Sequence, residues 1–348
     1  MIAAGGTAGH VLPALAVGEA LRDRRVSVSF AGSARVDPRL VTDAGFPFDE
    51  FDVSGIPRSV GLATVRALGT AVKAPVECRE ILRRRRPDVV LGGGGYVAGP
   101  MVLAARTLGI PAALTEADAH LGLANRLAAP FADRVFLAYP LAGRRGPKYR
   151  VVGRPIPARS RAPVDRAAAR GMFGLPAEGP VVLVAGGSQG ARALNEAVVA
   201  AFAAVGPAIL HLCGERDHAA LAGRAVRPGY RLLAFTNEFG AALAAADLVV
   251  SRSGGSVWEI AAAGRPAILV PYPHATADHQ TRNARYFARG GGAVLVEERD
   301  LDLVCQVEEL LGDPARLVAM GEAMRALARP EAADVIAEEL IELAASRG

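Results

Sequence analysis

An apolar stretch that runs into glycines and then into a helix occurs twice in this chain. It reads Ala3-Ala4-Gly5-Gly6-Thr7-Ala8-Gly9-His10 near the start and Ala185-Gly186-Gly187-Ser188-Gln189-Gly190-Ala191-Arg192 near the middle. A strand that turns through glycines into a helix leaves the first helical N–H groups unpaired and aimed at the turn, so each copy is a helix N-terminus ready for an anion. Two copies half a chain apart point to two similar domains gripping one ligand, and 348 residues is about twice the length of one ordinary domain.

Short apolar runs alternate with helical stretches throughout, at 26–31, 89–91, 112–114 and 135–137 and again at 181–185, 209–213, 248–250, 267–270 and 294–296. That alternation predicts α/β architecture: two Rossmann-like, doubly wound parallel sheets with helices on both faces. Residues 154–163 hold three prolines and no apolar period and read as a linker, so the expected domains are 1–153 and 164–330. Residues 331–348 form an apolar-striped helix expected to fold back on the first domain. Only four residues precede the first glycine turn, which leads to the expectation that a few upstream residues are missing. Open α/β sheets bind ligands beyond the carboxyl ends of their strands. The turns at 5–6, 92–95, 186–187 and 254–255 all fall at such ends, and two sheets facing a cleft would gather them around one space.

Composition narrows the partners. The net charge of +5 is mild, and Arg83-Arg84-Arg85-Arg86 reads as a solvated face, so no nucleic-acid partner is expected. Cys78, Cys213 and Cys305 lie too far apart for a zinc motif or a disulfide framework, which fits a reducing compartment. A secretory leader and a membrane-length apolar run are both missing from the sequence, so the expected location is cytoplasmic with any membrane contact peripheral.

Several residue groups have the chemistry to act on a ligand. The loop Gly187, Ser188, Gln189, Gly190 lets the backbone approach a phosphate closely, and Ser188 adds a hydroxyl; a ligand-free tight turn is the plainer alternative. In Ser251-Arg252-Ser253-Gly254-Gly255-Ser256-Val257-Trp258-Glu259, Glu259 can accept from two neighbouring hydroxyls such as those of a ribose, and Arg252 offers charge to a phosphate or sugar. Glu259 is equally an ordinary first-turn acid. After Pro271-Tyr272-Pro273, the crowd of Asp278, His279, Gln280 and Asn283 suits the reading of sugar hydroxyls, although helix capping accounts for one of them. His10 at a helix start tends to stay neutral, the state a general base needs, and Pro13 fits the first turn of that helix. The four glycines at 92–95, followed by Tyr96, indicate close approach on the acceptor side of a cleft or else a flexible loop.

Taken in order from Gly5 to about Ala288, these segments resemble the MurG family of glycosyltransferases, which add N-acetylglucosamine to undecaprenyl-pyrophosphoryl-muramoyl-pentapeptide in peptidoglycan precursor synthesis. The likeness rests on the two glycine loops, on Gly94-Gly95-Tyr96-Val97-Ala98-Gly99-Pro100, on Arg252-Ser253-Gly254 with Glu259, and on Asp278-His279-Gln280 with Asn283-Ala284. It implies a two-domain enzyme of the GT-B type, inverting and metal-independent, with UDP-N-acetylglucosamine as substrate and no cofactor. On this likeness Gly187, Ser188, Gln189 and Gly190 meet the diphosphate, Glu259 the ribose and Gln280 the sugar, with Arg252 nearby. His10 becomes the candidate base for the muramoyl hydroxyl, and Thr7, Gly9, Gly94, Gly95, Tyr96 and Asn125 face the lipid-linked acceptor. The chain departs from the family at Ala8, at Thr115-Glu116-Ala117-Asp118, and at Val152-Gly153-Arg154-Pro155-Ile156-Pro157, where a donor-binding arginine expected at 157 is missing and Arg154 is the candidate substitute.

The acceptor's lipid implies contact with the anionic inner membrane surface. The stripe Leu62, Val65, Leu68, Val72 and Val76, flanked by Arg58, Arg66 and Lys73, has the pattern of a helix meeting such lipid, though such stripes are more often core. The competing functions are transfer to another lipid or aglycone, a UDP-N-acetylglucosamine 2-epimerase, and a nonenzymatic nucleotide-binding module. An epimerase would need an acid and base pair about the sugar, and no convincing pair stands near Glu259.

Overall fold

The computed structural model describes residues 1–348 except 6–7, 34–37, 54–61, 162–163, 188–189, 225–226 and 347–348. It divides into one unit of Met1–Pro157 with Pro330–Gly348 and a second of Ala158–Arg329. The first unit is built on the parallel strands β1 (Ile2–Ala3), β2 (Phe30–Gly32), β3 (Phe48–Glu50), β4 (Val90–Gly92), β5 (Ala112–Glu116), β6 (Arg134–Leu137) and β7 (Tyr149–Val151), in the spatial order β3-β2-β1-β4-β5-β6-β7. The second carries β8 (Val181–Ala185), β9 (Ala208–Leu212), β10 (Tyr230–Leu233), β11 (Leu248–Ser251), β12 (Ala267–Leu269) and β13 (Ala293–Leu295), in the order β10-β9-β8-β11-β12-β13. In each sheet the chain starts at the centre, winds outward one way, returns and winds the other, which is the doubly wound order of a dinucleotide-binding fold.

The strand period of two explains the layering of the first sheet. Ala3, Ala31, Val90, Leu114, Val135 and Leu137 enter one core with the helix Ala98–Thr107. Their neighbours Ile2, Phe30, Leu91, Ala113 and Phe136 enter the other, with the helix Ala8–Asp23. That second core also takes Ala333, Ile336, Ala337 and Leu340 from the helix Ala332–Ala345, so the end of the chain completes a layer begun by its start. Polar ties fix the same helix: Arg24 reaches Asp334 at 2.9 Å and Glu338 at 2.8 Å, and Arg150 reaches the nearly buried Glu339 at 2.8 Å.

The segment read as a linker is divided differently. Arg154, Pro155 and Ile156 are buried in the first unit, and the second begins with a short helix, Ala158–Arg161. Arg84 and Arg85 are likewise more than a solvated face, because both grip Asp49 on the edge strand β3, at 2.8 and 2.7 Å. The side chains at 62–72 of the proposed lipid-facing stripe, and Arg58, lie outside those described, while Val76 of the helix Leu62–Arg85 is 58% exposed. Among the described residues no helix is long and apolar enough to cross a membrane.

The second unit is pinned by a buried cation. Arg170 is 1% exposed and spends its guanidinium on Asp247 at 2.9 Å and on the carbonyls of Ala177, Gly179 and Ala245. Asp247 in turn accepts from the Val181 N–H at the start of β8. Breaking a buried pair from one side strands the remaining charge, so Asp247→Ala is expected to cost about 3–5 kcal/mol, measured by denaturant unfolding, against under about 1 kcal/mol for breaking the exposed Arg224–Glu196 pair.

Candidate active site

In the first sheet the strand order reverses between β1 and β4, and the loops leaving these two strands flank the crevice where ligands enter such folds. His10 stands in the first turn of the helix Ala8–Asp23, directly beyond β1. The glycines after β4 make room for it. A Cβ on Gly94 would lie 2.8 Å from His10 Cδ2, and one on Gly95 would run into the Gly5 carbonyl oxygen. Both glycines also have positive φ, 103° and 74°, which side chains rarely adopt.

Pro13 lies inside this helix rather than in its first turn. Lacking an N–H, it cannot donate to the carbonyl four residues back, which belongs to Gly9. Arg154 supplies the missing donor: its Nη2 bonds the Gly9 oxygen, placing a buried guanidinium in the same cavity wall as His10. Burial first, and then the Arg154 charge, hold the His10 imidazole below its usual range, with Asp118 opposing. Arg154, expected from the sequence to serve the donor, bonds the first glycine loop through Nη2.

Glu116 lines the same cavity. Burial raises its carboxyl above the usual range, against bonds from Asn125 Nδ2 at 2.9 Å, Gly122 N at 2.9 Å and Asp118 N at 3.2 Å. Asn125, expected to face the acceptor, is buried and also donates to the Thr115 carbonyl, so it orients Glu116. The Tyr96 hydroxyl pairs with Ser33 at 3.0 Å. Gly9 is exposed, and Thr7 lies outside the described residues.

In the second sheet the order reverses between β8 and β11. The loop after β8 enters the helix Arg192–Phe202; Ser188 and Gln189 within it lie outside the described residues. Gly190 has φ 74°, and its missing Cβ would meet the Cys213 carbonyl at 2.6 Å, so only glycine fits there. By contrast, nothing among the described residues lies within 4 Å of a Cβ built on Gly187 or on Gly254 after β11. Among the described residues, the turn after β8 therefore rests on protein at Gly190 and is open at Gly187, and the turn after β11 is open at Gly254.

Glu259 is half-buried in the first turn of the helix Val257–Ala262. Trp258 beside it packs edge-on against Phe287 of the helix His279–Arg289 at 5.4 Å, tying the Glu259 and Gln280 elements together. Arg252 is buried and spends its guanidinium on Glu298 and on the carbonyls of Val270 and Pro271 at 3.2 Å. It thus braces the turn before Tyr272, whose N–H donates to Gln280 Oε1 at 2.9 Å. Between them Ala277 and Asp278 take φ of 53° and 54°, a left-handed conformation costing about 1–2 kcal/mol per residue, the kind of strain that gathers at ligand sites. Of the polar crowd read from sequence, Asn283 is buried against the Ser253 carbonyl, and His279 bonds the Thr276 carbonyl.

The comparisons with known proteins agree with this architecture. Residues 1–137 match the glycosyltransferase family 28 N-terminal domain and residues 181–337 the family 28 C-terminal domain. A UDP-N-acetylglucosamine–N-acetylmuramyl-(pentapeptide) pyrophosphoryl-undecaprenol N-acetylglucosamine transferase of Halorhodospira halophila is 45% identical over 97% of this chain and 96% of its own. One of the same description from Acidithiobacillus ferrooxidans is 42% identical over 99% and 97%. The crystal structure of Acinetobacter baumannii MurG superposes with a TM-score of 0.79 at 31% identity, covering 98% of each chain.

A base must be neutral to accept a proton, so if His10 is the base of the transfer, the acid limb of kcat/KM lies below the ordinary imidazole value of about 6.5. Arg154→Gln removes one of the lowering influences and should move that limb upward toward it. A limb that stays in place in the variant would show that Arg154 does not tune His10.

Proposed function

Because this chain belongs to glycosyltransferase family 28 and to its MurG branch, we propose that it transfers N-acetylglucosamine from UDP-N-acetylglucosamine to muramoyl-pentapeptide pyrophosphoryl-undecaprenol, the step that makes lipid II for peptidoglycan. His10 takes the proton of the muramoyl C4 hydroxyl as its oxygen bonds to the anomeric carbon. The bond from that carbon to the UDP oxygen breaks, UDP leaves with the electron pair, and the single displacement inverts the anomeric centre.

The second unit holds the donor. Main-chain amides around 187–190 and the N-terminus of the helix Arg192–Phe202 receive the diphosphate, Glu259 the ribose and Gln280 the sugar hydroxyls, while Arg252 acts by bracing the Gln280 turn. The observation that carries this reading is the space that the described residues leave over Gly187 and Gly254 at the second sheet's reversal. Fixed dipoles aimed at the departing diphosphate stabilise its growing charge, so no metal is invoked. The first unit presents the acceptor side with Gly9, Gly94, Gly95 and Tyr96.

The enzyme works as a peripheral protein on the cytoplasmic face of the membrane. Support comes from exposed apolar side chains of the first unit: Val76, with Leu123, Leu127 and Phe131 at helical spacing, on segments that pack against the helix Ala98–Thr107.

Transfer of labelled sugar to the lipid-linked muramoyl-pentapeptide tests the reading. Activity should persist in excess chelator, and His10→Ala should lower kcat by about 10²–10⁴ with the donor KM little changed. Loss of transfer in chelator, restored by a divalent cation, would overturn the metal-free step, and full activity of His10→Ala would remove the base.

A further inference from the structure

A buried polar chain lies beneath the donor turn. His211 on β9 is fully buried, with Tyr230 Oη at 2.8 Å from Nδ1 and Asn195 Oδ1 at 3.0 Å from Nε2. Asn195, itself fully buried, donates through Nδ2 to the Cys213 carbonyl at 2.8 Å and to Asp217 Oδ2 at 2.9 Å. With both amide hydrogens used, Asn195 Oδ1 is an acceptor, so the proton of His211 sits on Nε2 and the Tyr230 hydroxyl donates to Nδ1. Every donor in the chain meets an acceptor. Burial alone pushes His211 down to about 4, which keeps this one-donor, one-acceptor ring through the neutral range.

The far end of the chain is the donor turn. The Cys213 carbonyl that takes the Asn195 bond is the atom against which Gly190 rests, and a Cβ there would also lie 3.6 Å from Asp217 Oδ2. Asp217 Oδ1 further accepts from Arg192 Nε at 3.1 Å, at the first residue of the helix whose N-terminus faces the turn. A turn that must hold its N–H groups toward a diphosphate needs a fixed floor, and the fully satisfied chain supplies one.

We propose that His211 and Tyr230 are positioning residues for the nucleoside diphosphate, acting through Asn195, Cys213 and Asp217 to set Gly190 and the helix N-terminus beside it. This rests on the reading of the loop after β8 as the diphosphate cradle. Neither residue touches the donor, and both act on its binding rather than on proton transfer.

The test is UDP affinity by calorimetry together with KM for donor and for acceptor, in the full-length protein. His211→Leu leaves Asn195 Oδ1 and the Tyr230 hydroxyl unpaired, and should weaken UDP binding and raise the donor KM about tenfold while the acceptor KM holds. His211→Gln, which restores an N–H toward Asn195, should recover most of that loss, and Tyr230→Phe should show a smaller effect in the same direction. Should His211→Leu fail to fold, the Gln and Phe variants decide alone: donor KM raised in Tyr230→Phe supports the proposal, and wild-type UDP affinity in both overturns it. Equal rises in donor and acceptor KM would also overturn it, by marking the chain as general packing. Undetectable UDP binding by the wild-type protein would instead fell the donor-site reading itself.

Discussion

The structure depends on strand order. In a parallel sheet wound outward from its centre in both directions, the connections from the two central strands depart to opposite faces, and a crevice opens between them that no side chain of the sheet can fill. This chain builds that crevice twice, between β1 and β4 and between β8 and β11, and borders each with glycines and helix N-termini. What distinguishes the halves is what the glycines meet. At the first, Gly94 and Gly95 close onto His10 and Gly5, so the space is spent on seating one imidazole. At the second, Gly190 is pressed onto the Cys213 carbonyl, while no atom of the described residues lies within 4 Å of a Cβ on Gly187 or Gly254. The same local sequence pattern thus packs around a histidine in one unit and, in the other, around a backbone carbonyl.

Two of the candidate groups, His10 and Gln280, stand beside irregular backbone that a distant arginine braces. Pro13 costs the first helix a hydrogen bond, and Arg154 repairs it with a charge that also disfavours protonation of His10. The left-handed pair Ala277 and Asp278 is endured where Gln280 is aimed, with the buried Arg252 bracing the preceding turn. The family resemblance and the 45% identical relative speak to the reaction; these repairs explain how this particular chain keeps its groups in place.

Most of the fold was legible because its central strands are continuous apolar runs, as strands buried on both faces must be. Strands β3, β7 and β10 escaped notice because each is a sheet edge, and Phe48–Glu50, Tyr149–Val151 and Tyr230–Leu233 carry polar, partly exposed residues. Three prolines suggested a linker, yet Pro155 and Ile156 are buried, since a proline-rich segment without period can still pack its rings. In the site, the glycine turns and His10 could be read from local pattern. The tie from Arg154 to Gly9 could not, because it joins residues 145 positions apart; its one local signal was a proline four residues after Gly9. The apolar run 209–213 gave the strand that carries His211, but the hydrogen-bond chain of that residue joins β9, β10 and a helix, which no local window displays.

The central claim is that the second unit holds the sugar nucleotide through main-chain amides. A crystal structure with UDP-N-acetylglucosamine bound tests it most directly. The account predicts diphosphate oxygens within about 3.2 Å of backbone N–H groups in the loop after β8, ribose hydroxyls on Glu259 and the sugar against Gln280. A nucleotide seated instead on the first unit's glycine loop, or a diphosphate held by a metal ion in place of those amides, would contradict it.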